Sequence, residues 1–124
     1  METLLVVEDN EKNMKLVRDV LQVKRYATLE AVTGEDGVRL AKERLPALVL
    51  MDIQLPGISG IEALKQLRAD PATAAIPVIA VTASVMVSDR RNITDAGFDG
   101  YVGKPLNLKE FLAAVASALA PRGP

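Results

Sequence analysis

Short apolar runs alternate with longer amphipathic stretches five times along the chain. The first run, Leu4, Leu5, Val6 and Val7, is continuous rather than alternating, as in a strand covered on both faces. Asn10 stands where a helix N-cap belongs. Met14, Val17, Leu21 and Lys24 fall on one side of the helix it opens, with Val20 widening the apolar stripe. Residues 28–33 read as a second strand closed by Gly34. Val38, Ala41 and Leu45 mark a second helix, which Pro46 ends. Residues 47–51 form the most apolar strand, and Asp52 ends it. Residues 55–60 carry the proline and glycines of a loop. Ile61, Leu64 and Leu67 predict a third helix, stopped near Asp70 and Pro71. Residues 76–81 predict a fourth strand, with Pro77 tolerated at its start. A less apolar helix is expected from Met86 to Ala96, with Gly97 as its C-cap. Gly100, Tyr101 and Val102 form a short fifth strand, and Leu108, Phe111, Leu112, Val115 and Leu119 stripe a final helix.

Strands alternating with helices imply an α/β fold, a doubly wound five-stranded parallel sheet with helices on both faces. Right-handed crossovers restrict its topology. The strand order adopted is 2-1-3-4-5, borrowed from flavodoxin-like sheets rather than derived. A chain of 124 residues is the size of one domain. The expected division is a domain over residues 1–120 and a short tail over 121–124.

Composition mostly excludes. Hydrophobic residues make up 49% and charged residues 25%, which argues against disorder. There is no cysteine and no histidine, so disulfides, structural zinc and thiol or imidazole catalysis are ruled out. A net charge of -1 without a long basic run gives no sign of nucleic-acid binding. The first nine residues lack the basic start of a signal peptide, and no apolar stretch approaches a bilayer-crossing length. A cytoplasmic protein with no membrane partner is the expectation.

Open α/β sheets bind ligands beyond the carboxyl ends of their strands. In the adopted order, Glu8 and Asp9 after the first strand, Asp52 after the third, Thr82 after the fourth and Lys104 after the fifth share one rim. Three crowded carboxylates repel one another, and a divalent cation with oxygen ligands and retained waters removes that repulsion; Mg2+ suits it. A carboxylate beside Mg2+ can take a phosphoryl group as an acyl phosphate, with Lys104 and Thr82 contacting its oxygens. Each residue also has a bland reading: Asp52 a turn carboxylate, Glu8 and Asp9 the acids of a helix start, Thr82 a strand residue, Lys104 a solvated charge. Those readings weaken together, because all would have to meet on one rim by chance.

Val6 to Asn10, Met51 to Pro56, Ser59 with Gly60, Val81 to Ala83 and Gly103 to Pro105 together resemble the receiver domains of two-component response regulators. The likeness runs over residues 4–119 and is closest in look to stand-alone receivers of the DivK type. It implies the CheY-like form of the fold and a phospho-accepting signalling domain rather than an enzyme. Asp52 would be the phospho-acceptor. Asp9 would ligate Mg2+ directly, Glu8 through water and Gln54 through its backbone carbonyl. Thr82 and Lys104 would contact the phosphoryl group, Tyr101 would be the switch aromatic, and Pro105 would follow a cis peptide that aims Lys104. The acidic pair is Glu-Asp where many members have Asp-Asp. Gln54 and Ser84 occupy the two positions that tune phosphate lifetime, and Ala83 leaves the site open.

The implied partners are a sensor histidine kinase or histidine phosphotransfer protein, and a downstream protein on the face of the fourth helix, fifth strand and fifth helix. A monomer is the default, with dimerisation through the fourth-helix face as the alternative. Either a free-standing receiver or one cut from a larger regulator or hybrid kinase fits, as does a phosphorylation-independent interaction module. A haloacid dehalogenase-type phosphatase would want a second Asp at the Gln54 position. A nucleotide-binding domain would want a glycine-rich loop where Glu8, Asp9, Asn10 and Glu11 stand.

Overall fold

The computed structural model describes residues 2–82, 87–104 and 106–119, with backbone alone at residues 87–90. Among these residues five strands and five helices alternate: β1 Thr3–Val7, α1 Glu11–Val23, β2 Ala27–Ala31, α2 Gly34–Arg44, β3 Leu48–Asp52, α3 Gly60–Ala69, β4 Val78–Thr82, α4 Val87–Ala96, β5 Gly100–Gly103 and α5 Leu108–Leu119. All the strand pairs are parallel, in the order β2-β1-β3-β4-β5.

The alternation of each strand divides the core into two layers. Leu5, Val7, Val49, Met51, Val78 and Ala80 pack beneath α2, α3 and α4, with Val38, Ala41, Leu64, Leu67 and Ile93. Leu4, Val6, Leu48, Leu50, Ile79 and Val81 pack beneath α1 and α5, with Met14, Val17, Leu21, Phe111 and Val115. β1, β3 and β4 are therefore buried on both sides, which is why they are continuous apolar runs. Phe111 is fully buried, and truncating such a side chain to alanine costs about 3–5 kcal/mol.

β2 covers residues 27–31 rather than 28–33 and β4 covers 78–82 rather than 76–81, and three helix ends also differ from expectation. Gly34 begins α2 rather than closing β2: Thr33 is the N-cap, its hydroxyl accepting from the Asp36 amide at 3.1 Å. Leu45 is not part of the α2 stripe. It is the C-cap, in the left-handed region at φ 46 and 55% exposed, because Pro46 forbids another helical turn. Lys24 likewise lies past the end of α1 as its C-cap and is exposed. Asn10 does cap α1, accepting from the Asn13 amide at 3.1 Å. Gly97 does end α4, at φ 105. Met86, Ala83, Ser84 and the Pro105 peptide lie outside the described residues.

Candidate functional site: an acidic rim with one shared lysine

Parallel register puts the carboxyl ends of the inner strands at one level. Val7 of β1 faces Met51 of β3, so Glu8 emerges beside Asp52. Asp52 faces Val81 of β4, and Thr82 faces Gly103 of β5. The Lys104 amide donates to the Thr82 carbonyl at 2.8 Å, which carries the pairing one residue past β5 and delivers the lysine to the rim.

One carboxylate oxygen from each of Glu8, Asp9 and Asp52 lies within 4.8 Å of the others. Glu8 and Asp52 are buried, at 3% and 4% exposure, while Asp9 faces solvent. Lys104 Nζ donates to Asp52 Oδ2 at 2.8 Å and pairs with Glu8 Oε1 at 2.9 Å. The remaining oxygens are held by backbone: Asp52 Oδ1 accepts from the Gln54 amide at 3.0 Å, and Glu8 Oε2 from the Asn10 amide at 3.1 Å. Gly60 makes the tight exit from β3 possible. A Cβ there would collide with the Asp52 carbonyl oxygen, so only glycine lets α3 begin this close to the acid.

The electrostatics follow. Burial pushes the Glu8 carboxyl above its ordinary value and the Asp52 carboxylate adds to the rise, while Lys104 and the Asn10 amide oppose it. Burial works against the charge of Lys104, yet bonding to Asp52 and Glu8 outweighs it and holds the ammonium above its ordinary value. With all three acids ionised, one ammonium leaves two negative charges, which one divalent cation would balance. The donors are all oxygen, two buried and one exposed, so a hard cation that keeps water on its open side fits them. Glu8, Asp9 and Asp52 are the side chains that would hold Mg2+. A cleft of about 380 Å3 lined by Glu8, Asp9, Met14, Lys15 and Arg18 leaves the acidic pair open on the α1 side.

The structure thus brings together Glu8, Asp9, Asp52 and Lys104, with buried Thr82 ending the adjacent strand. Gln54 is exposed in the loop after β3, reaching Asp52 through its amide. Tyr101 sits within the edge strand opposite Ala80 and is 37% exposed. Two charged arrangements were missed by sequence reasoning. Arg68 on α3 pairs with Asp99 before β5 at 2.8 Å, and Glu35 on α2 accepts from the Ile58 amide in the β3–α3 loop at 3.3 Å. Both join residues far apart in the chain, and neither leaves a local motif.

Comparison with known proteins agrees with this geometry. The response regulator receiver domain family matches residues 4–116. The polar-differentiation response regulator DivK of Brucella ovis is 43% identical over 117 residues, covering 94% of this chain and 95% of the relative. DivK of Brucella melitensis matches equally. Among solved structures, the receiver domain of a sensor histidine kinase from Pseudomonas aeruginosa, crystallised with a magnesium ion coordinated in its active-site cleft, superposes with a TM-score of 0.88. It is 30% identical, with 95% of this chain and 97% of that one covered. The chemotaxis protein CheY4 of Vibrio cholerae, at 22% identity, shares the fold with a TM-score of 0.89 over 96% and 99% of the chains. The chain belongs to the response regulator receiver domain family of two-component signal transduction, and its relatives include DivK. Among the described residues, no helix is long and apolar enough to cross a membrane.

Proposed function

We propose that this receiver accepts a phosphoryl group on Asp52, with Mg2+ held directly by Asp9, Asp52 and the Gln54 carbonyl and by Glu8 through water. The observation that carries the reading is the convergence of three carboxylates within 4.8 Å, two of them bridged by Lys104. Mg2+ supplies charge neutralisation on the transferring group. The chain's own residues supply the rest. An Asp52 oxygen attacks phosphorus, a P–O bond forms, and the bond to the donor, the P–N bond of a phosphohistidine, breaks with its electrons leaving on the imidazole. Lys104, already bonded to Asp52, is placed to follow the new phosphoryl oxygens. Thr82, at the end of β4, donates to another. Tyr101 is the exposed aromatic on the output side, turning inward as Thr82 moves, which biases an existing two-state equilibrium. Pro105 after Lys104 sets the lysine's aim.

The phosphodonor is a sensor histidine kinase or a histidine phosphotransfer protein, and the chain works in the cytoplasm. The output is binding of a downstream protein at the face of α4, β5 and α5. The domain catalyses nothing beyond its own phosphorylation and dephosphorylation. The test is intact mass after incubation with acetyl phosphate and Mg2+. The parent gains one phosphoryl group; Asp52→Asn and an EDTA-treated sample do not. If the parent gains none and also fails to bind beryllofluoride, the phospho-switch is wrong and a phosphorylation-independent interaction module takes its place.

A further inference from the structure

The loop between β3 and α3, residues 53–59, carries Gln54; it is tied to the rim at its start and closed on itself at its end. The Asp52 carboxylate accepts from the Gln54 amide at 3.0 Å, and the Gly60 amide donates to the Ile53 carbonyl at 2.9 Å. Its far side rests on another element, the N-terminus of α2. There Glu35 Oε1 accepts from the Ile58 amide at 3.3 Å. The same carboxylate lies over Gly57: a Cβ on Gly57 would stand 2.5 and 2.6 Å from the two Glu35 oxygens. Gly57 also adopts φ 76, which favours glycine. Beside it, Ile58 lies against Gly34, where a Cβ would meet the Ile58 side chain at 2.7 Å and its carbonyl at 2.9 Å. Glycine on each side lets helix and loop come close enough for Glu35 to reach. In the first turn of α2 the helix dipole favours a carboxylate, which explains an acid at position 35 but not its contact with the loop.

We propose that Glu35 is a positioning residue for the acidic rim. By holding residues 57 and 58 it fixes the β3–α3 loop, and with it the Gln54 carbonyl offered to Mg2+. This rests on the reading of the rim as a Mg2+-dependent phosphorylation site. A carbonyl ligand cannot be aimed by its own side chain; its place depends on the loop that carries it. Tethering the far side of that loop removes conformations that metal binding would otherwise have to freeze out.

The test compares Glu35→Ala, Glu35→Gln and Asp36→Ala with the parent. Mg2+ affinity is read by titration calorimetry, and the contact itself by hydrogen exchange at the Ile58 amide. Glu35→Ala should weaken Mg2+ binding about tenfold, at the low end of effects for residues that support ligands. It should also speed exchange at Ile58, while leaving the rate of phosphorylation by acetyl phosphate close to parental at saturating Mg2+. Glu35→Gln keeps an oxygen acceptor and should recover most of the affinity. Asp36→Ala removes an acid from the same helical turn without touching the loop and should bind Mg2+ as the parent does. Parental affinity in Glu35→Ala, or equal weakening in Asp36→Ala, overturns the proposal. A parent that takes up no Mg2+ overturns the reading of the rim itself, and this role with it; unchanged Ile58 exchange in Glu35→Ala overturns the latch alone.

Discussion

At the amino ends of β4 and β5, Arg68 donates to the carbonyls of Ala74, Ile76 and Gly97 at 3.0, 2.6 and 3.2 Å and to Asp99 at 2.8 Å. Asp99 Oδ2 in turn accepts from the Val78 amide at 2.8 Å, at the first residue of β4. At the carboxyl ends of the same strands, Lys104 stands between Glu8 and Asp52, with Asp9 close by. Each end places one cation among acceptors, but the balance differs. The lower cluster matches one guanidinium to one carboxylate and spends its other donors on loop carbonyls, which fastens the end of α3 to the α4–β5 turn. The upper cluster has more acid than base and a point-charge ammonium that can change partners. A balanced network is a fastening; an unbalanced one has room for a ligand.

The largest expected effect tests the fastening. Arg68→Ala takes the guanidinium away from three carbonyls and from Asp99, which keeps the Val78 amide. With the pair 27% and 25% exposed, water recovers part of the loss, so the cost should be about 2 kcal/mol. Urea unfolding should show a lower midpoint at unchanged slope, while calorimetric Mg2+ affinity stays parental. A change in Mg2+ affinity comparable to the stability loss would dissolve the distinction between the two ends.

Much of the upper end was legible in the sequence, and almost none of the lower. Runs such as Leu48 to Met51 announce strands buried on both faces, and parallel-sheet logic sends whatever follows them to one rim. Glu8, Asp52, Thr82 and Lys104 were therefore placed by their position after apolar runs. Arg68 and Asp99 lie 31 positions apart and Glu35 and Ile58 lie 23 apart, each pair in segments whose mutual approach depends on helix packing across the sheet. Local pattern carries no trace of such pairs. Gly34 misled for a related reason. Glycine reads as a strand terminator, but here it opens a helix and makes room for Ile58.

A smaller effect probes the imbalance. Glu8→Gln removes one of the crowded negative charges while keeping an oxygen near Lys104. Without divalent metal the variant should be more stable than the parent by about 1 kcal/mol, because like-charge crowding and a buried charge are both relieved. Millimolar Mg2+ should reverse the order, since a ligand that binds the folded parent more tightly stabilises it more. Thermal unfolding of both proteins in EDTA and in Mg2+ reads the crossover directly. If Glu8→Gln is the less stable in EDTA, the acids are not in surplus and the charge argument for a cation site fails.

The smallest effect concerns the lysine. Its ammonium sits 2.8 and 2.9 Å from oxygens of two of the carboxylates that would surround a cation, so it competes with that cation's charge before any phosphoryl group arrives. Lys104→Met, which keeps length and apolar bulk, should bind Mg2+ about threefold more tightly than the parent, a modest gain because the competing charge is partly solvated. The same variant should take up phosphoryl group from acetyl phosphate more slowly, since the charge that would meet the phosphoryl oxygens is gone. Affinity and reactivity therefore move in opposite directions, which loss of structure would not produce. Parallel loss of both would mean that Lys104 chiefly holds the rim together, as Arg68 holds the opposite end.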